Sequence, residues 1–400
     1  MKKILLVGGN FDNAGGRPSG LFEKICNEVK VREYEGKILA DVYNGGFVDE
    51  LRNNILPQVK DFDIVVWAPN VPNTEEKIRN VKEINPKTIL ISTKRNNNEY
   101  NFAELISRAL AQKSNLVIEF SKFLENPSIY KMMVFDPLGN KFFDGTSVEN
   151  MVNVLLKRAL ELTDFTRIGS KQSDKSTIPS VPNEKKFFEF ARSCSDIFHN
   201  LINPAEGTTR FLGNMSFRCQ NGFPSFRGKD NIIYVSKRNV DKRFIDANSF
   251  VATYMGENGE VRYFGDAKPS VDTPVQQRLY QMFPNMNYMI HAHCYFNGTG
   301  LKELKSDGNV YKTKIPVPCG AIEEVKEIVN AIHIFDINDA RFIAINLTGH
   351  GCLLMASDVR EFTELMKYKD NCFAKRPVTE DFTKEYFEKG KEDISKENCR

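Results

Sequence analysis

The stretch KPSVDTPVQQRLYQMFPNMNYMIHAHCYF, residues 268–296, decides how the chain is read. It opens on an acidic turn, Pro269-Ser270-Val271-Asp272-Thr273-Pro274. Val275 to Phe283 follows as a short helix, with Leu279, Tyr280 and Phe283 spaced for one core-facing side. Met286 to Phe296 is aromatic and apolar and reads as a strand carrying His291 and His293. Side chains two apart on a strand share a face, so these two imidazoles project together. The chain has only 5 histidines, which makes so close a pair informative.

Working outward, Phe342 to Leu347 is an apolar run ending in Thr348-Gly349-His350-Gly351. His350 is the natural third nitrogen ligand and Asp272 an oxygen ligand. Three imidazoles and a carboxylate suit Zn²⁺, with Mn²⁺, Fe²⁺ and Co²⁺ as alternatives. His199 and His333, each alone, are assigned no role.

Taken in order, Gly213-Asn214-Met215-Ser216, Val235 to Lys242, Lys268 to Pro274, His291-Ala292-His293 and His350-Gly351 resemble the class II aldolase/adducin family. The resemblance spans Phe187 to Tyr368, and its PSVDTP form is most similar to the L-ribulose-5-phosphate 4-epimerase/fuculose-phosphate aldolase branch. It implies an α/β/α domain in which His291, His293, His350 and Asp272 hold a metal. Asn214 and Ser270 are then substrate contacts, with Asp272 also moving a proton. It further implies a homotetramer with sites between subunits.

The sequence departs from the family in two loops. The second phosphate loop carries Arg238-Asn239 where Ser-Gly or Thr-Gly is usual, and Val271 replaces a second serine. Lys237 and Arg238 are expected to substitute charge for the missing hydroxyls. In the epimerases a further Asp and a Tyr handle protons. Asp307 is the nearest acid to that position, and Tyr311, Tyr368 and Tyr386 are the acid candidates, with packing as the alternative for each. Glu323-Glu324 reads as the acidic first turn of a helix through Val329.

The first half of the chain has a different texture. Lys3 to Val7, Lys37 to Tyr43, Asp63 to Trp67, Thr88 to Ser92 and Leu116 to Phe120 read as strands alternating with helices. That alternation predicts a parallel-sheet, Rossmann/flavodoxin-like α/β domain. Asp136-Pro137-Leu138-Gly139 marks a closing hairpin between Tyr130 to Phe135 and Lys141 to Phe143. After the first strand, Gly15, Gly16, Arg17 and Ser19 form a glycine loop suited to an anion or nucleotide. The loop is neither GxGxxG nor a Walker A sequence, and the alternative is a turn before a helix capped by Ser19.

Residues 166–185 are polar, serine-rich and hold two prolines, which predicts a linker. The expected organisation is therefore domain 1–165, linker 166–185, metal domain 186–375 and charged tail 376–400. A length of 400 residues supports two cores. A net charge of +3 gives no reason to invoke nucleic acid. No apolar run reaches the ~18 residues of a membrane span. The 8 cysteines are scattered without a CxxC pair, which points to reduced thiols and a cytoplasmic location. The function expected is metal-dependent aldolase (lyase) chemistry through an enediolate on a sugar or sugar phosphate. An epimerase or dehydratase on the same scaffold is the first alternative, and a non-catalytic adducin-like binding module the second.

Overall fold

The structure is a computed structural model that describes residues 2–34, 36, 38–96, 101–122, 126, 128–173, 179–195, 213–218, 232–304, 308–332, 340–374 and 380–386. His199, His333 and Asp307 lie outside these residues. The chain divides into two compact units, Met1–Asp164 with Thr379–Arg400, and Phe165–Val378.

The first unit is built on β1 (Lys2–Asp12), β2 (Ile38–Phe47), β3 (Ile64–Trp67), β4 (Thr88–Arg95), β5 (Leu116–Lys122), β6 (Tyr130–Phe135) and β7 (Asn140–Gly145). The sheet order is β7-β6-β5-β4-β3-β1-β2, parallel from β2 through β5, with β6 antiparallel to both of its neighbours. The 2-1-3-4-5 part is the doubly wound arrangement in which order reverses between β1 and β3. Strand interiors such as Ile4, Leu5, Leu6 and Val7 are buried throughout, as expected of a sheet covered on both faces. Helices Gly20–Tyr34 and Val148–Asp164 cover one face. On the other, Val48, Leu51, Ile55 and Val59 pack from helical residues 48–61.

Residues 376–400 were expected to form a charged tail, but their described part joins the first unit. Glu380–Asp381 adds a parallel edge strand beside β7, and Phe382 and Tyr386 pack on Phe142. Two aromatic residues one helical turn apart supply the apolar surface that a purely charged tail would lack.

The second unit is a nine-stranded sheet made of β8 (Lys171–Gln172), β9 (Asn214–Phe217), β10 (Ile233–Ser236), β11 (Phe250–Met255), β12 (Val261–Tyr263), β13 (Tyr288–Ala292), β15 (Val310–Lys312), β16 (Phe342–Leu347) and β17 (Gly351–Ala356). Its order is β15-β16-β17-β13-β9-β10-β11-β12-β8. A short β14 (Tyr295–Phe296) pairs separately with Phe373–Ala374. Successive residues of β13 alternate between two cores. Tyr288, Ile290 and Ala292 face the helices Lys185–Ser193 and Val359–Leu365, whereas Met289 faces the helices Thr273–Met282 and Glu323–Ile332. The result is an α/β/α layering with His291 on the Met289 side.

Residues 166–185, expected as a linker, are partly ordered into this unit. Thr166 accepts from Ile322 N at 2.9 Å and donates to the Glu323 carboxylate at 3.0 Å. Lys171–Gln172 then extends the sheet edge beside β12. A polar, proline-containing segment suits a short edge strand, where unpaired backbone groups meet water.

Candidate metal centre

Strand β13 presents His291 within the sheet and ends at Ala292, so His293 sits just beyond it rather than in a continuous strand. Two glycines permit what surrounds them. A Cβ at Gly213 would lie 2.6 Å from His291 O, and one at Gly351 would lie 2.1 Å from Ala292 O and 2.7 Å from His293 Cα. Only glycine allows β9 and β17 to begin flush against the histidine pair. Gly351 thereby brings His350, the residue just before β17, over the end of β13.

The three rings converge. Their centroids are 5.0 Å apart for His291 and His293, 4.6 Å for His291 and His350, and 5.1 Å for His293 and His350. One ring nitrogen from each lies within 4.8 Å of the others, and all three residues are buried. His291 Nδ1 is 3.0 Å from Cys352 O. A carbonyl only accepts, so Nδ1 carries the proton and Nε2 keeps a bare lone pair. That Nε2 and Asp272 Oδ1 are both buried with no hydrogen-bond partner among the described residues. Leaving such atoms unsatisfied costs roughly 1–3 kcal/mol each, a cost that a bound cation removes. The donor set fits a divalent ion.

Burial holds the His291 imidazole down at about 4, with His350 adding to the effect, so its neutral, ligating form persists through the neutral range. The second partner is Glu324, whose Oε1 lies 3.0 Å from His350 Nδ1. Burial and then the nearby Asp272 raise its carboxyl to about 8. An acceptor oxygen on the outer nitrogen of a metal-binding histidine fixes the ring and its tautomer. On the opposite side of the ring, Cys319 Sγ is 3.0 Å from His350 Nε2.

Asp272 stands beside the histidines, at the start of helix Thr273–Met282. Its Oδ2 accepts from Asn214 Nδ2 at 2.6 Å, and its amide lies 3.4 Å from Ser270 Oγ. Asn214 also accepts from Gln276, so its amide group aims Asp272. Lys237 and Arg238 follow β10 and are strapped to the same turn: Lys237 bridges Pro269, Arg238 N donates to Lys268 O at 2.9 Å, and Ser270 N donates to Ser236 O at 3.1 Å. The two departing loops of the sequence are therefore adjacent.

Other expected residues lie elsewhere. Tyr311, on edge strand β15, registers through Ile345 and Leu353 to His291, three strand spacings or roughly 14 Å away. Tyr386 belongs to the first unit, where its hydroxyl binds Glu161 and accepts from Arg158 at 3.1 Å. It is a packing residue there. In the first unit's glycine loop, Gly16 N donates to Gly46 O at 2.8 Å and Ser19 N to Asn44 Oδ1 at 2.9 Å. Ser19 Oγ accepts from Phe22 N at 3.3 Å and caps the helix. Two of the amides offered for an anion are thus committed internally, while Gly15 and Arg17 share the same edge with Asn44 and Asn70.

Sequence reading missed Glu324 and Cys319. The signal for Glu324 was its spacing: it shares a helix face with Ile328 and Ile332, and a carboxyl on a buried stripe needs a reason. No comparable signal marked Cys319.

The family model for the Class II Aldolase and Adducin N-terminal domain matches residues 198–374. No curated protein matches the chain. Among solved structures, the chain is similar to an L-fuculose 1-phosphate aldolase at 16% identity, covering 55% of this chain and 99% of that one, with a TM-score of 0.34. An aldolase II superfamily protein from Pseudomonas syringae is similar at 14% identity, over 53% and 86% of the two chains, with a TM-score of 0.28. The DNA/pantothenate metabolism flavoprotein from Streptococcus pneumoniae is similar at 12% identity, over 40% and 100%, with a TM-score of 0.30. Among the described residues no helix is long and apolar enough to cross a membrane.

Proposed function

We propose that the class II aldolase/adducin-like domain at residues 198–374 is a metal-dependent lyase that cleaves or forms a carbon–carbon bond beside the carbonyl of a sugar or sugar phosphate. The observation that carries this reading is the buried three-histidine cluster with the bare His291 Nε2 beside Asp272. His291, His293 and His350 would hold the ion, and Asp272 would stand at its edge. When bound, a divalent ion supplies fixed positive charge that stabilises negative charge developing on a substrate oxygen.

The chain's own residues do the rest. Asn214 and Ser270 hold Asp272 so that its free Oδ1 takes or returns a proton at the carbon next to the carbonyl. Lys237 and Arg238 supply cationic groups for an anionic substrate end, in place of hydroxyl donors. Glu324 keeps the His350 ring oriented. Leu279, Ile328, Leu347 and Leu353 wall the small cavity that Asp272 and His291 line, which keeps this side of the cluster apolar.

The test is proton NMR in deuterium oxide with ketose 1-phosphates and their unphosphorylated counterparts. Metal-dependent exchange at the carbon next to the carbonyl, with release of an aldehyde, supports the lyase. Exchange with inversion or loss of water and no cleavage moves the assignment to an epimerase or dehydratase, which the second buried acid, Glu324, also suits. Metal binding without any exchange favours the binding module. For the first unit we infer an anion or nucleotide at the carboxyl edge of β1 and β3. Equilibrium dialysis with nucleoside triphosphates tests it, and no retention across the four common bases removes it.

A further inference from the structure

We propose that Cys319 is a fourth, displaceable ligand of the same ion, so that the resting centre is a closed sphere of three nitrogens and one sulfur. The proposal rests on the metal reading above. Its first support is distance. Zn–S bonds near 2.3 Å and Zn–N bonds near 2.0–2.1 Å put two ligand atoms of one tetrahedral ion about 3.5 Å apart. Cys319 Sγ lies 3.0 Å from His350 Nε2, so these two donors need to separate by about half an ångström, while the sulfur closes on the His291 and His293 nitrogens from outside the three-histidine cluster.

The second support is independent of the cysteine: the buried, unpartnered His291 Nε2 and Asp272 Oδ1 point to a ligand in this cluster. The third is the segment that carries the thiol. Gly320 takes a φ of +75, and a Cβ there would lie 2.8 Å from Val271 O, so the chain is pressed onto the turn that leads to Asp272. Ala321 bridges Arg167, and Glu324 N donates to Ala321 O at 3.1 Å. One short stretch thus places Cys319 on the Nε2 side of His350 and Glu324 on the Nδ1 side.

Coordination needs no oxidant. The thiol proton passes to solvent as the sulfur–metal bond forms, and returns when substrate oxygens displace the sulfur. Two consequences follow for function. A four-ligand sphere is closed to water until substrate arrives, and a soft sulfur donor favours Zn²⁺ or Co²⁺ over Mn²⁺. Cys319 also differs from the other described cysteines, Cys26, Cys194, Cys294, Cys352 and Cys372. Those are buried, whereas Cys319 is part-exposed and within reach of reagents.

The experiment loads the full chain with Co²⁺ and records its absorption spectrum. The wild type should show visible d–d bands from a tetrahedral ion and a near-ultraviolet sulfur-to-cobalt charge-transfer band. Cys319→Ser should keep the visible bands, lose the charge-transfer band, and bind Zn²⁺ about tenfold more weakly or worse. A measurement on the unmodified chain guards against a misfolded variant: iodoacetamide should label Cys319 quickly in the metal-free protein and slowly with Zn²⁺ bound, read by peptide mass. Visible bands without a charge-transfer band, together with equal labelling, overturn the sulfur ligand and leave the three-histidine centre standing. No visible bands at all overturn both.

Discussion

Glu324 shows how much a single side chain can carry that sequence pattern reads only as charge. At the first turn of a helix a glutamate is ordinarily favoured by the helix dipole, and nothing in the local sequence demands more. Its burial and its bond to His350 Nδ1 give it a different task. Glu324→Gln keeps an acceptor of similar size but can no longer ionise, and should weaken metal binding by about 10–100-fold without unfolding the domain. Competition with a chromophoric chelator measures this, and an unchanged affinity would remove Glu324 from the centre. The histidines themselves were legible because His291 and His293 are two apart and His350 is flanked by glycines. Asp272 was legible as an acid, but its orientation by Asn214 was not, since that bond joins residues 58 positions apart.

At the scale of elements, the centre exists because β13 lies between β9 and β17, and glycines, Gly213 just before β9 and Gly351 opening β17, let both close on it. Gly351→Ala would set a methyl group 2.1 Å from Ala292 O and 2.7 Å from His293 Cα, backbone atoms with little room to yield. We expect this variant to lose about 2–4 kcal/mol of stability and most of its metal, by urea titration and elemental analysis. Retention of both would mean that the two strands can part without cost.

The short turn Lys242–Phe244, near the charged loop after β10, offers a pH test. Burial lowers the Lys242 ammonium to about 8, below the usual 10.5. The unfolded chain therefore holds this proton more tightly. Stability is fully available above 10.5 and is lost as pH falls through about 8. Lys242→Met should flatten that alkaline rise by about 3 kcal/mol relative to wild type, measured by urea unfolding across the range. Parallel curves for the two proteins would contradict it.

At the scale of the whole molecule, alternating strands and helices made the first unit's parallel sheet legible through β5, and the DPLG turn made the β6–β7 hairpin legible. The closing edge was not legible, because Glu380–Asp381 pairs with Asn140–Lys141 from 240 positions away in the chain. That pairing makes the first unit discontinuous. Phe382→Ala removes a buried ring stacked near Phe142, and should destabilise the first unit by about 3 kcal/mol while leaving metal content unchanged. The same logic predicts that residues 165–378 alone fold and bind metal. A fragment starting at Glu184 loses the β8 edge and the Thr166–Glu323 bonds, and should be less stable. Equal melting temperatures for the two fragments would show that residues 165–183 contribute nothing.

In the proposed centre, His291 and His293 at the end of β13 and His350 just before β17 hold one ion. Elemental analysis of the full-length protein beside His291→Ala tests it most directly, after chelation and reconstitution with Zn²⁺, Mn²⁺, Fe²⁺ or Co²⁺. About one ion per chain is expected in the wild type and none in the variant. Equal metal in both proteins, or none in the wild type after reconstitution, would contradict it.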